Sequence, residues 1–189
     1  MKTLNSLDEF VATELKKKNF RLVQITEQLM VSRLSEIMTF VNTIRDEYRN
    51  KYDWTVESKE YFLNPMDRKF SYSFLIENNN KEILILSLFS VYNRMIHNHC
   101  TYADEKYRNL GLAKLLLINL CTKASSDGFE TYSGFFPKVN NGSLILFLRL
   151  GLKIDYMRNN TEIYGTCNLE EMANNAYRLY CKERKHNIL

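Results

Sequence analysis

Residues 95–113 hold the side chains whose types and spacing bear on chemistry. Residues 95–103 alternate loosely as a strand, and Leu112, Leu115, Leu116, Leu120, Cys121 and Ala124 then recur at helical intervals until Gly128. A helix therefore begins near Gly111. Its first-turn N–H groups have no internal acceptors and stand at the positive end of the helix dipole, which suits an anion. Gly111 has no β-carbon, so a pyrophosphate can approach the backbone closely, and Arg108 adds a cation at the rim. The chemistry suggested is capture of a nucleotide phosphate, although a glycine opening a helix is by itself more often a plain turn. Upstream, His97 and His99 stand two apart, which on a strand puts both on the face of Thr101 and Ala103. Histidine titrates near neutrality, so the pair reads as proton-transfer groups or as occupants of a partly wet strand face. Cys100 falls on the opposite face, so His97, His99 and Cys100 do not gather as a metal site, and no metal is expected.

The elements around this segment follow from periodicity. Ser6 and Glu9 have capping-box spacing, and Leu7, Phe10, Val11 and Leu15 predict an amphipathic helix over 7–18. A short strand is predicted at 20–26, and a long helix or a broken pair from Glu27 to about Lys51. Residues 71–76 and 82–90 read as a hairpin about the turn at 78–80. Leu169, Met172, Ala173, Ala176, Tyr177 and Tyr180 form a stripe in a C-terminal helix opened by Asn168. No repeat, linker or low-complexity tract interrupts the chain. The expectation is a single α+β domain over 1–189, with 1–19 as a helical extension, 20–166 as the core and 168–185 as the closing helix.

Composition narrows the partners. The 189 residues are 45% hydrophobic and 25% charged, and 26 basic against 22 acidic residues give a net charge of +4 with no dense basic block. That balance does not argue for nucleic acid. No stretch of apolar residues is long enough to span a membrane, and the first twenty residues lack the apolar core of a secretory signal. The four cysteines are scattered without a Cys-x-x-Cys pair, so reduced thiols and a cytoplasmic location are expected.

Arg108-x-x-Gly111-x-Ala113 resembles the phosphate-turn signature of the GNAT superfamily of acetyltransferases. The residues before it, 103–107, resemble the end of that family's fourth strand, with Glu105 where a proline is usual. A second motif keeps the family's spacing in Asn140, Ser143, Phe147 and the pair Gly151 and Leu152. The resemblance covers roughly residues 70–166. It implies a GNAT fold: a mixed, mostly antiparallel twisted sheet flanked by helices, with the fourth and fifth strands splayed. Residues 129–139 would be the fifth strand, 142–150 the fourth helix, and 152–158 with 161–167 the final hairpin.

The resemblance also implies acetyl-CoA, or another acyl-CoA, as co-substrate. Thr101, Tyr102 and Ala103 would hold its pantetheine, the N–H groups of Asn109, Leu110, Gly111, Leu112 and Ala113 beside Arg108 its pyrophosphate, and Asn140, Ser143 and Phe147 would flank it. An amine would attack the thioester directly and would first have to lose a proton. His97 falls six residues before Ala103, where several relatives carry a glutamate base, so His97 and His99 are the candidate bases. Many relatives have a tyrosine at the position of Phe147, whose hydroxyl protonates the leaving thiolate, and phenylalanine has no proton to give. Tyr102, Tyr132 or solvent would supply it, or none is needed. The acceptor, a small-molecule or peptide amine, would enter over 27–69, where Trp54, Tyr48, Tyr52, Tyr61 and Phe62 mix with Asp46, Glu47, Asp53 and Glu57. Three functions fit: an N-acetyltransferase, a transferase of longer acyl groups from acyl-CoA or acyl carrier protein, and a non-catalytic acyl-CoA sensor. A homodimer is a candidate assembly.

Overall fold

The computed structural model describes residues 3–52 and 55–186. Its sheet is built from β1 (Phe20–Gln24), β2 (Phe74–Asn78), β3 (Ile83–Tyr92), β4 (Met95–Ala103), β5 (Thr131–Pro137), β6 (Lys153–Arg158) and β7 (Glu162–Asn168). The order across the sheet is β1-β2-β3-β4-β5-β7-β6. Neighbours run antiparallel except β4 and β5, which are parallel. The helices are α1 (Leu4–Lys17), α2 (Glu27–Ser32), α3 (Leu34–Glu47), α4 (Arg49–Tyr52), α5 (Lys59–Leu63), α6 (Lys69–Tyr72), α7 (Leu112–Ser126), α8 (Asn141–Arg149) and α9 (Leu169–His186).

Two apolar layers form, one on each face of the sheet. On one face α1, α7, α8 and α9 pack through Leu7, Val11, Leu116, Phe147 and Met172 against Ile85, Phe89, Ile96 and Phe136. On the other, Met30, Ile37, Val41, Ile44 and Phe62 from α2, α3 and α5 cover Leu75, Leu86, Leu88 and Tyr102. The strand alternation that assigns side chains to these layers decides what reaches the site.

The sequence and the structure differ at two boundaries, and a third choice is settled. Helix α1 starts at Leu4 behind Thr3, and Ser6 donates its hydroxyl to the Thr3 carbonyl (2.8 Å), so Ser6 and Glu9 do not form a capping box. Of the two forms expected over 27–51, the structure has the broken one: the helix breaks at Arg33, whose φ of −114° is not helical and whose guanidinium turns to Glu77, buried on β2 (2.5 Å). Ser71 and Tyr72 are helical instead of extended. Tyr72 is anchored by its hydroxyl to Asp127 at the end of α7 (2.8 Å) and by its ring to Phe129, a contact that local alternation does not encode. At the other end Asn168 accepts from the Glu171 N–H (3.0 Å) and caps α9 as its sequence predicts. Cys100, Cys121, Cys167 and Cys181 are free thiols. No helix among the described residues is long and apolar enough to cross a membrane.

Candidate functional site

The site opens where β4 and β5 part. Their pairing runs through Ile96–Tyr132 and His97–Ser133 and ends at Asn98–Gly134, after which β5 continues along β7 while β4 stays on β3. The last residues of β4 thus turn one backbone edge to a gap that passes through the sheet. Such an edge carries hydrogen-bonding groups free for an extended ligand.

A bulge in β4 sorts its side chains between the two mouths of this gap. Leu88 pairs with Cys100 and Phe89 with Asn98, so His99 is the extra residue. One added residue reverses the alternation beyond it. Asn98 and Thr101 therefore share a face: the Asn98 amide donates to Thr101 Oγ1 (3.2 Å) and to the Tyr132 hydroxyl (2.7 Å), and Ser87 donates to Thr101 Oγ1 (2.8 Å). His97, His99, Cys100 and Tyr102 take the other face. This corrects the expectation that both histidines share the face of Thr101 and Ala103 and that Cys100 opposes them. Among the described residues no group of three or more potential ligands could hold a metal ion.

On the α7 side lies a cavity of about 560 Å³, bounded by Ala103, residues 107–109 and 111–114, Leu146 and Arg149 of α8, and Lys182 and Glu183 of α9. Gly111 is the residue before the first turn of α7, with φ +78° and no side-chain cap, so the N–H groups of that turn are free to face a ligand. Asn109 also takes a positive φ of +64°. Two expectations change here. The β-carbon missing from Gly111 would stand 2.6 Å from two ring carbons of Tyr180, so the glycine admits that ring as well as the backbone turn. Arg108 is not a loose cation at the rim, because it donates to the Ala103 carbonyl through Nε and Nη2 (both 3.1 Å) and to the Tyr48 hydroxyl.

The gap itself forms a second cavity of about 440 Å³, whose lining adjoins that of the first along β4 and α8. Its α8 wall carries Thr101, Ser143 and Phe147, and Asn140 stands at the head of that helix. The Asn140 side-chain oxygen accepts from the Ser143 N–H (3.3 Å) and so caps α8. Phe147 is 4% exposed, stacked on Tyr132 (5.5 Å) and tilted against Phe136 (4.7 Å). The opposite wall carries Arg45, Glu57, Tyr61, His97, His99, Tyr102, Arg158 and Glu162.

Here the histidines are held and neutral. His97 Nδ1 lies 2.9 Å from Ser133 Oγ, and His99 Nε2 lies 2.7 Å from Ser90 Oγ. Burial, and then the nearby Arg158, lower the His97 pKa. Burial, then His97 and Lys69, push His99 down to about 4. The Tyr102 hydroxyl accepts from Arg45 Nη1 (2.6 Å), and burial keeps that phenol protonated by raising its pKa. Tyr132 is likewise raised by burial, and Cys100 is pushed up to about 11 by the same cause. Neither cysteine nor phenol is ionised here at neutral pH.

Of the aromatic and acidic cluster anticipated over 46–62, Tyr61 and Glu57 reach the cavity. Phe62 is core, Tyr48 packs on Arg108, Asp46 pairs with Arg49 (2.6 Å), and Glu47 lies outside the gap. Asp53, Trp54 and the Tyr52 side chain lie outside the described residues. Sequence reading missed Arg45, Ser90, Asn98, Ser133, Arg158 and Glu162. Arg45 had a signal, a charge four residues after Val41 on the inward stripe of α3. Ser133, a small hydroxyl in a buried strand, had a weak one.

The sequence pattern described as the Acetyltransferase (GNAT) family matches residues 37–152, more than half of the chain. No curated protein matches the sequence. Among solved structures, a GNAT-family acetyltransferase of Staphylococcus aureus Mu50 superposes with a TM-score of 0.65 at 14% identity, covering 79% of this chain and 99% of its own. The ribosomal-protein-S18-alanine N-acetyltransferase of Escherichia coli gives 0.62 at 14% identity, over 79% and 94% of the two chains. The PaiA N-acetyltransferase of Thermoplasma acidophilum, solved in complex with coenzyme A, gives 0.59 at 10% identity, over 79% and 98%. These likenesses concern the fold, and with the sequence match they lead to one statement: the chain belongs to the GNAT acetyltransferase family.

Proposed function

We propose that this protein transfers an acetyl group from acetyl-CoA to a primary amine of a small molecule or peptide by direct attack. One observation carries the reading: the gap between β4 and β5 adjoins an uncapped helix turn on one face and two neutral histidines on the other. The residues present suit acetyl-CoA. The N–H groups from Asn109 to Ala113 receive its pyrophosphate, and the open edge of β4 at Thr101, Tyr102 and Ala103 receives its pantetheine. Ser143 and Phe147 bound the cavity on the far side. The thioester supplies an activated acetyl group.

The acceptor enters from the face of α3 and α5, across the sheet from the phosphate turn. His97 is the base: unprotonated at neutral pH, it takes a proton from the incoming ammonium directly or through water, and Ser133 fixes its orientation. His99 stands beside it, with ring centroids 5.1 Å apart, and is the alternative base. Tyr102, kept protonated by burial, is the candidate proton donor to the leaving thiolate. Arg45, Glu57, Arg158 and Glu162 around the gap favour a short acyl group over a long chain. The whole chain acts as one domain in this reading, in a cytoplasmic setting, without nucleic acid or membrane as partner.

A second reading is a non-catalytic acyl-CoA sensor, and Phe147 is what favours it, because that position offers no proton. Two measurements separate them. Acetyl-CoA should raise the melting temperature of the wild type, and Ala113→Glu, which sets a carboxylate on the first turn of α7, should abolish the rise. A wild type that shows no rise sinks the cofactor assignment. Thiol release with a panel of amines then tests turnover. Release that is lost in His97→Gln with cofactor binding retained supports the transferase, and a thermal shift with no release for any amine supports the sensor.

A further inference from the structure

The residues proposed to hold the cofactor and move the proton lie within 37–152, yet the phosphate turn is closed from outside that range. Tyr180 of α9 is 2% exposed, and two of its ring carbons stand 2.6 Å from where a β-carbon on Gly111 would be. The ring thus rests directly on the Gly111 backbone. It is fixed from behind. Its hydroxyl donates to Glu14 of α1 (3.0 Å), a carboxylate 4% exposed that also takes Lys17 (2.7 Å) and Arg184. Phe10 packs edge-on against the same ring at 5.6 Å. One turn further along α9, Glu183 accepts from Lys114 in the first turn of α7 (2.8 Å), and Lys182 and Glu183 wall the cavity beside that turn.

Glycine has more backbone freedom than any other residue, and Gly111 sits at φ +78° with no side chain to restrain it. An array of N–H donors binds an anion tightly only if it is ordered before the anion arrives. Burial raises the Tyr180 pKa, with Glu14 adding to it, so the phenol stays protonated and the tether to Glu14 holds. Burial alone would push the Glu14 carboxyl up, but hydrogen bonds from Lys17 and Tyr180 and the charges of Arg184 and Lys17 outweigh it and leave the group below its ordinary value.

We propose that Tyr180, anchored by Glu14, is a positioning residue for the cofactor: its ring holds Gly111 in the conformation that presents the α7 N–H groups to the pyrophosphate. Helices α1 and α9 thereby serve the cofactor site instead of merely extending the core. This rests on the cofactor reading above.

The test compares Tyr180→Leu with Tyr177→Leu, which loosens the neighbouring edge contact to Phe10 (4.9 Å) without touching Gly111. Coenzyme A affinity is measured by calorimetry, and the backbone order of Gly111 by 15N relaxation in the cofactor-free protein. Tyr180→Leu is expected to weaken coenzyme A about tenfold and to lower the Gly111 order parameter. Tyr177→Leu should lower the melting temperature but keep affinity within twofold and Gly111 order unchanged. Should Tyr180→Leu fail to fold, Tyr180→Phe, which loses only the tether to Glu14, should weaken binding about threefold. Wild-type affinity in whichever Tyr180 variant folds, or Gly111 order no lower than in Tyr177→Leu, overturns the proposal. A wild type that does not bind coenzyme A defeats the cofactor reading instead, and the order comparison still decides the role of Tyr180.

Discussion

Acidification should destabilise this protein through the histidines that line the gap. His99 is held at about 4 by burial, while in the unfolded chain it titrates near the ordinary histidine value of 6.5. A folded pKa below the unfolded one gives stability that is fully present above 6.5 and is lost as pH falls toward 4, because the unfolded chain binds the proton first. With those two values, lowering the pH from 7 to 5 removes on the order of 2 kcal/mol through His99 alone. For a chain of 189 residues that is a drop of roughly 4–8 °C in melting temperature. His97, lowered by the same cause, adds to it in the same direction. The comparison protein is His99→Gln, whose amide can still reach Ser90 Oγ in place of Nε2. Thermal unfolding of both proteins between pH 7.5 and 5 should give a flatter profile for the variant, so the difference between them shrinks or reverses as pH falls. Carboxylates elsewhere are common to both and cancel. Parallel profiles would refute the reasoning, since His99 would then carry the same proton affinity folded and unfolded.

Two further outcomes are expected. Lys69 is 1% exposed and donates to the carbonyls of Tyr61, Phe62 and Asn64 at 2.8, 2.9 and 3.3 Å, so Lys69→Met leaves these carbonyls without that donor. It should cost about 2–4 kcal/mol in urea unfolding, and an unchanged midpoint would count against that role. Ser133→Ala removes the hydroxyl 2.9 Å from His97 Nδ1, and should lower kcat roughly tenfold while KM for acetyl-CoA holds. A rise in KM with kcat intact would show that Ser133 serves cofactor binding instead.

The legible part of the fold was the part set by neighbours in sequence. The turn from Arg108 to Ala113, the stripe of α7 and the cap of α9 need only residues three or four apart, and the sequence placed them within a residue or two. The spacing of Asn140, Ser143 and Phe147 likewise located the α8 wall of the gap. The bulge in β4 was not legible, since it is a property of how β4 registers on β3, and one extra residue moved both histidines to the other face.

By itself, then, the amino-acid sequence determined that a strand leads through a glycine turn into a helix and that two histidines stand upstream. Only the tertiary structure decided what those residues meet. The gap exists because β5 leaves β4 to follow β7, His97 is held by a serine 36 positions away, and the glycine turn is closed by Tyr180 and Glu14, 166 positions apart. Each of these is a contact between distant segments, fixed by strand register and packed layers, which local pattern does not encode.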